Sequence, residues 1–113
     1  MNRFVTMLSA GAVAIMLSTS AYAADAVVSP EQIAAAKTPA DHEAIAAAFD
    51  QEAARLEAKA KEHDAMSKSY RSAATGKKGM NAAAMSAHCL KLATKYREAA
   101  EENRAMAAEH RKM

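Results

Sequence analysis

Two long stretches without glycine or proline constrain the fold of this chain more than any other feature. The first runs from Ala40 to Thr75 and the second from Met80 to Met113, with a glycine- and lysine-containing segment between them. Alanine, the strongest helix former, occupies 27 of the 90 residues from 24 to 113, and tryptophan is absent. The sequence therefore predicts an all-α protein in which two long helices are joined by a glycine turn.

Capping signals predict where these helices begin and end. Ser29-Pro30-Glu31-Gln32 combines an N-cap serine, a first-turn proline and a capping-box glutamine, which predicts a short helix that ends at Thr38-Pro39. The same pattern, with a shorter acid, recurs in Thr38-Pro39-Ala40-Asp41 and begins a helix predicted over 39–74. Segment 75–79 is then the turn, in which Gly76 can adopt the left-handed conformation. Asn81 is predicted to cap a second long helix that ends near Arg111.

Larger side chains recur in steps of three and four, which places them on one face of each helix. In the second helix this stripe comprises Met85, Cys89, Leu92, Tyr96, Ala99, Asn103, Met106, His110 and Met113. In the first it comprises His42, Ile45, Phe49, Leu56, His63, Met66 and Tyr70, with Ala53 and Ala60 beside the interrupting Glu52 and Lys59. These stripes are predicted to pack on each other.

The turn also predicts the register of the two helices. Antiparallel packing about it brings together residues whose numbers add up to roughly 153 to 155. Leu56 is then expected near Tyr96, Phe49 near Met106, and Glu52 opposite Asn103 in a shared hydrogen-bonded layer. The predicted fold is an antiparallel two-helix hairpin, coiled-coil-like, with a short N-terminal helix. Few large side chains support the many ordered residues, so two hairpins are expected to dimerise as a four-helix bundle.

The first 23 residues have the pattern of a cleavable signal peptide. A short basic start at Arg3 precedes an uncharged run from Phe4 to Leu17, and Ala21-Tyr22-Ala23 fits the small-x-small cleavage rule. The run is shorter than the roughly 20 residues that span a bilayer, which favours removal over anchoring. We therefore expect a periplasmic protein without a membrane anchor, with residues 24–38 as a short helix and linker and 39–113 as the hairpin domain.

Charge composition bears on the partners of the secreted chain. Arg3 is one of 15 basic residues, so 14 remain after cleavage against 13 acidic residues. Nucleic-acid and membrane-surface binding both favour a strong basic excess, which is missing here. The sequence predicts neither partner.

Four side chains near the turn form the candidate metal site. His63 and Met66 lie three residues apart on one helix, and the predicted register puts them opposite His88 and Cys89. Imidazole, thioether and thiolate suit copper, zinc or haem iron, so a metal ion or haem is a possible ligand. Covalent haem is disfavoured, because the sequence has no Cys-x-x-Cys-His motif. The competing interpretation makes these residues core filler, and His88 turned outward toward a second hairpin.

Three further sequence features leave alternatives open. His42 opposite His110 and Met113 forms a weaker ligand set at the open end of the hairpin. Cys89, the single cysteine, would either bridge two chains or stay a free thiol. No nucleophile has a suitably placed base or oxyanion donor, so no enzymatic activity is predicted.

Several segments resemble a group of small exported proteobacterial proteins that are alanine-rich and helical and whose activity is not established. The resemblance covers nearly all of the secreted part of the chain. It rests on Thr38-Pro39-Ala40-Asp41-His42-Glu43-Ala44-Ile45-Ala46, Glu62-His63 with Met66 and Tyr70, His88-Cys89-x-x-Leu92 with Tyr96, and His110-Arg111. It implies export and a helical hairpin with a His-Cys step in the second long helix, and it implies no activity.

Two functional hypotheses follow from the sequence. The first is a periplasmic structural or protein-interaction module, which acts through its helix faces on a second copy or on an unidentified protein partner. The second is a small copper-, zinc- or haem-binding protein that uses His63, Met66, His88 and Cys89.

Overall fold

The computed structural model describes residues 27–73 and 79–113, and every secondary-structure element within these residues is a helix. Helix α1 spans Pro30–Ala35, α2 spans Pro39–Ala73 and α3 spans Gly79–His110. The long helices α2 and α3 pack against each other as the predicted antiparallel hairpin. The predicted leader and turn residues 75–78 lie outside the described residues. Helix α3 begins two residues before Asn81, so Asn81 lies within the first turn instead of capping it.

Both predicted capping boxes are present. The backbone amide of Gln32 donates to the Ser29 hydroxyl at 3.2 Å, and the Gln32 side chain accepts from the Ser29 amide at 2.7 Å. At the start of α2, the Asp41 carboxylate accepts from the backbone amides of Lys37 and Thr38. These bonds favour the charged carboxylate and lower the pKa of Asp41. The two caps fix the bend between α1 and α2.

The helices meet along a line of small side chains that repeats every seven residues, which we call the small-residue seam. Its members are all buried: Ala46, Ala53, Ala60 and Ser67 on α2, and Ser86, Ala93, Ala100 and Ala107 on α3. The hydroxyls of Ser67 and Ser86 lie 2.8 Å apart, and Ser86 also donates to the carbonyl oxygen of Ser67 at 3.1 Å. The numbers of this pair add up to 153, as do those of every facing pair in the seam, which confirms the predicted register.

Larger side chains alternate with the small ones along the same interface. Phe49 stacks on His110 with ring centroids 5.8 Å apart, and His63 stacks on Tyr96 at 5.4 Å. Leu56, Ala53 and Ala100 form a buried cluster against which Tyr96 packs, as predicted. The interface is therefore a heptad in which one layer is alanine or serine and the next is aromatic, aliphatic or histidine.

One edge of this interface carries interhelical ion pairs, again at heptad spacing. Arg111 contacts Asp50 at 2.8 Å, Arg104 contacts Glu57 at 3.4 Å, and Arg97 contacts Asp64. Each of these six residues follows a seam residue by four positions, so we call this edge the ion-paired flank. The side chains are 31–50% exposed, and each pair therefore contributes about 0–1 kcal/mol.

Three of the nine residues in the predicted stripe on α3 are wrong by one position. Cys89, Tyr96, Asn103 and His110 lie at the interface as predicted, but the positions assigned to Met85, Leu92 and Met106 belong to the alanine or serine that follows each of them. Ser67 replaces Met66 on α2 in the same way. The small side chains occupy the interface because they let two long helices approach closely along their full length. A methionine or leucine in each layer would hold the helices apart.

The predicted polar layer of Glu52 and Asn103 is also wrong. Glu52 binds Arg55 one turn along its own helix at 2.7 Å, and Asn103 donates to the carbonyl oxygen of Ala99 at 2.8 Å. Each polar side chain is thus satisfied within its own helix. Among the described residues, no helix is both long and apolar enough to cross a membrane.

Overpacking the small-residue seam should destabilise the hairpin. Ala60→Leu inserts three extra carbon atoms where the seam has no exposed surface, and we expect it to lower the free energy of unfolding by about 1–3 kcal/mol. Ala58→Leu, at an exposed position on the same helix, is the control and should be nearly neutral. Urea unfolding followed by circular dichroism measures both. Equal stability of the two variants would show that the seam is not closely packed at Ala60.

The serine pair should show strong coupling between its members. Ser86→Ala leaves the Ser67 hydroxyl buried without its partner, and we expect a loss of about 1–2 kcal/mol. The double variant Ser67→Ala, Ser86→Ala restores an alanine layer like the other three and should recover most of that loss. A double variant as unstable as both single changes added together would show that the hydroxyls do not interact.

Candidate functional site

The structure places two of the four predicted ligands at the interface and two on the surface. Cys89 is a buried free cysteine, 5% exposed, and His63 is half-buried against Tyr96. The Nδ1 atom of His63 is buried and has no hydrogen-bond partner. Met66 is 39% exposed and His88 is exposed.

The hairpin register brings His63 and Cys89 to facing positions. His42 and His110 are in contact, and moving three heptads along both helices from that pair gives positions 63 and 89. Met66 and His88 lie outside this line, on the surface. Within residues 27–73 and 79–113, no group of three or more histidine, cysteine or acidic residues is placed to hold a metal ion. A single hairpin thus does not gather the predicted set, and a role for it stays a prediction.

The second candidate ligand set, His42, His110 and Met113, lies at the open end of the hairpin, where the two histidines are in contact. The Nδ1 atoms of His42 and His110 are 3.1 Å apart and the ring centroids 5.4 Å apart. The difference between these two distances equals twice the distance from the centre of an imidazole ring to one of its atoms. The two Nδ1 atoms therefore lie on the line that joins the two ring centroids. The rings therefore meet edge to edge, with one Nδ1–H donating to the bare Nδ1 of the other. Met113, three residues after His110, is 67% exposed.

Charged residues beside this histidine pair are already engaged with one another. Arg111 binds the Glu43 carboxylate at 3.0 Å and the Asp50 carboxylate at 2.8 Å. These contacts raise the pKa of Arg111, with the hydrogen bond to Glu43 as the largest cause. Both nearby carboxylates are thereby engaged by Arg111, and the imidazoles of His42 and His110 remain as the candidate ligating groups of this end.

A further feature, missed by the sequence analysis, is an exposed apolar edge opposite the ion-paired flank. Residues one position before the seam lie on the same side of the two antiparallel helices, just as those four positions after it share the ion-paired flank. This edge carries four exposed apolar residues, Met66, Met85, Leu92 and Met106, each 39–44% exposed, which we call the methionine flank. The same edge also carries Glu52 and Lys59 on α2, and Ile45 at its end is buried. Assigning the four exposed apolar residues to the core concealed the flank. The sequence signal was present, since Met85, Leu92 and Met106 share one heptad position, with Ala99 between the last two.

A shallow open groove of about 260 Å³ lies where α1 meets the start of α2. Its lining includes Gln32, Ile45 and Asp41, and the Asp41 carboxylate is already occupied in capping α2. The groove therefore offers no free titratable group. No protein-family model, curated protein or solved structure matches this chain.

The burial of Cys89 predicts slow reaction with thiol reagents. In the native protein, 5,5′-dithiobis-(2-nitrobenzoic acid) should modify Cys89 at least about tenfold more slowly than in urea, because reaction requires local opening of the helix pair. The control is Cys89→Ser with Leu90→Cys, which moves the thiol to a neighbouring position that is 43% exposed. Equal reaction rates of the two native proteins would show that Cys89 is accessible.

Proposed function

We propose that this chain is a helical interaction module of the bacterial periplasm that pairs with a second copy of itself to form a four-helix bundle. The methionine flank is the single observation that carries this proposal. Three of its four members lie on α3 and one on α2, all on one edge of the hairpin, and exposed apolar side chains grouped on one side of a small protein are typical of an interface. Methionine side chains are flexible and polarisable, which suits them to a surface that repacks on binding.

The contrast between the two edges supports pairing through one of them. Asp50, Glu57 and Asp64 meet three arginines on the ion-paired flank, so that edge satisfies its own charges within the hairpin. On the methionine flank, by comparison, Met66, Met85 and Leu92 expose roughly two-fifths of their surface. Burying them against a partner gains hydrophobic free energy that the single hairpin does not obtain.

The order of charges along the edge that carries the methionine flank favours a second copy as the occupant. On α2, Glu52 immediately precedes one seam residue and Lys59 immediately precedes the next, one heptad later. A two-fold axis between them would bring Glu52 of each protomer opposite Lys59 of the partner subunit. The same axis would bring Met85 toward Met106 of the partner subunit, so the surface is complementary to itself. In the hairpin Glu52 and Lys59 bind Arg55 and Glu62 on their own helix, and these partners can stay at the rim.

The predicted leader supports the periplasmic location, and this function requires no catalytic residue. Metal or haem binding by His63, Met66, His88 and Cys89 is the second hypothesis from the sequence. It would need surface ligands from a second hairpin, since Met66 and His88 point away from the interface of the first. The dimer is therefore also the condition for that site.

Leu92 and Leu90 provide a matched pair for testing the dimer. They lie two residues apart on α3 and are 44% and 43% exposed, but Leu92 belongs to the methionine flank and Leu90 to the edge that carries Arg97. Leu92→Glu should weaken self-association at least about tenfold, because the two-fold axis repeats the buried charge. Leu90→Glu should leave it unchanged. Sedimentation equilibrium of the secreted chain at micromolar concentration measures both.

Circular dichroism establishes that both variants remain helical, so that lost association is not mistaken for unfolding. Wild-type protein that stays monomeric at 100 μM would overturn the proposal. Equal weakening by both substitutions would also overturn it, because the interface would then not lie on the methionine flank. A dimer that dissociates in Leu92→Glu alone supports it.

A further inference from the structure

We propose that His42 and His110 form a Cu(I) site at the open end of the hairpin, completed by the thioether of Met113. The site is separate from the methionine flank and uses none of its residues. It rests on the 3.1 Å contact between the two Nδ1 atoms, which joins positions 68 residues apart in the chain.

The two nitrogens are placed as paired ligands. On a tetrahedral ion with metal–nitrogen bonds of about 2.0–2.1 Å, two ligand nitrogens lie about 3.3 Å apart. The observed separation is 3.1 Å, and because both nitrogens lie on the line that joins the ring centroids, both rings would move slightly apart and tilt to aim their lone pairs at one ion. The ion would take the place of the Nδ1 hydrogen that one ring now donates to the other. That hydrogen would move to Nε2 of the same ring, so each imidazole stays neutral. Both rings are half-buried, and Phe49 packs against His110, which limits their motion.

The surrounding groups select a soft ion over a hard one. Glu43 and Asp50 are bound by Arg111, so the nearby carboxylates are not free to join the imidazoles. No third histidine, cysteine or acidic ligand completes a metal-holding group in the described part of the chain. The remaining donor is a thioether, which favours Cu(I), whereas zinc prefers thiolate, imidazole or carboxylate.

Met113 is the thioether nearest to His110 in the sequence. Its backbone amide donates to the carbonyl oxygen of His110 at 3.2 Å, which holds it just beyond the last turn of α3. Met113 is only three residues beyond His110, and its long, flexible side chain could turn toward the histidine pair. It is 67% exposed, and binding the ion would not require it to leave a packed position.

Transfer of Cu(I) from its coloured bicinchoninate complex, under anaerobic conditions, tests the site. The parent protein carries Cys89→Ser, which removes the thiol as a competing ligand. We expect one equivalent of Cu(I) to be taken up, with affinity reduced at least about tenfold by His42→Gln or His110→Gln. Met113→Leu should give a smaller reduction, of about threefold to tenfold. His88→Ala is the matched control, since His88 is exposed on α3 away from this end, and it should leave uptake unchanged.

Nitrogen chemical shifts of the histidine rings provide a second readout, and circular dichroism confirms that each variant is folded. Cu(I) should shift the Nδ1 resonances of His42 and His110 and leave those of His88 in place. No uptake by the Cys89→Ser parent, or uptake that survives His42→Gln, would overturn the proposal. Equal affinity for Zn²⁺ together with no effect of Met113→Leu would overturn the assignment to copper. Because the dimer test uses Leu92 and Leu90, a monomeric protein that binds Cu(I) would refute the proposed dimer and leave this site standing.

Discussion

The close approach of α2 and α3 along the small-residue seam is the constraint on which the rest of the structure depends. A side chain no larger than serine at every seventh position lets two helices of about 50 Å lie in contact throughout their length. This approach brings His42, Phe49 and His63 on α2 into contact with Tyr96 and His110 on α3. It also leaves the residues just before the seam outside the interface, which creates the methionine flank. One spacing rule thus determines the core and the exposed edge.

Much of this architecture could be predicted from local signals. The capping boxes at Ser29 and Thr38 follow from short sequence patterns, because a cap depends on atoms only three residues apart. The register followed from the position of the glycine turn and the rigidity of a helix. The alternate layers, with Leu56 near Tyr96, were also predicted, since large side chains with a heptad period leave few other arrangements.

The small layers could not be identified in the same way. Alanine is so frequent in this chain that it shows no periodicity of its own, and Met85 or Leu92 beside it looks more like a core residue. Similarly, chemical softness brought His63, Met66, His88 and Cys89 into one candidate set, but softness carries no information on which way a side chain points. The structure separates two facing the partner helix from two facing outward. By contrast, the pairing of His42 with His110 was predicted, because it depends on the register alone.

Because the alanine layers are chemically alike, they do not by themselves determine which alignment of α2 and α3 forms. If α3 slid past α2 by seven residues, alanine would again meet alanine at most positions, and the apolar free energy would change little. Such a slip would, however, set the hydroxyl of Ser67 against an alanine methyl group and separate it from Ser86. The ion pairs do not oppose it in the same way, because they share the seven-residue spacing: Arg111 would meet Glu57, and Arg104 would meet Asp64. Ser67 and Ser86 contribute modestly to stability, but their hydrogen bond distinguishes one alignment from its near-degenerate alternatives. The polar contact between these serines selects one alignment among several whose free energies would be nearly equal if alanine packing alone decided.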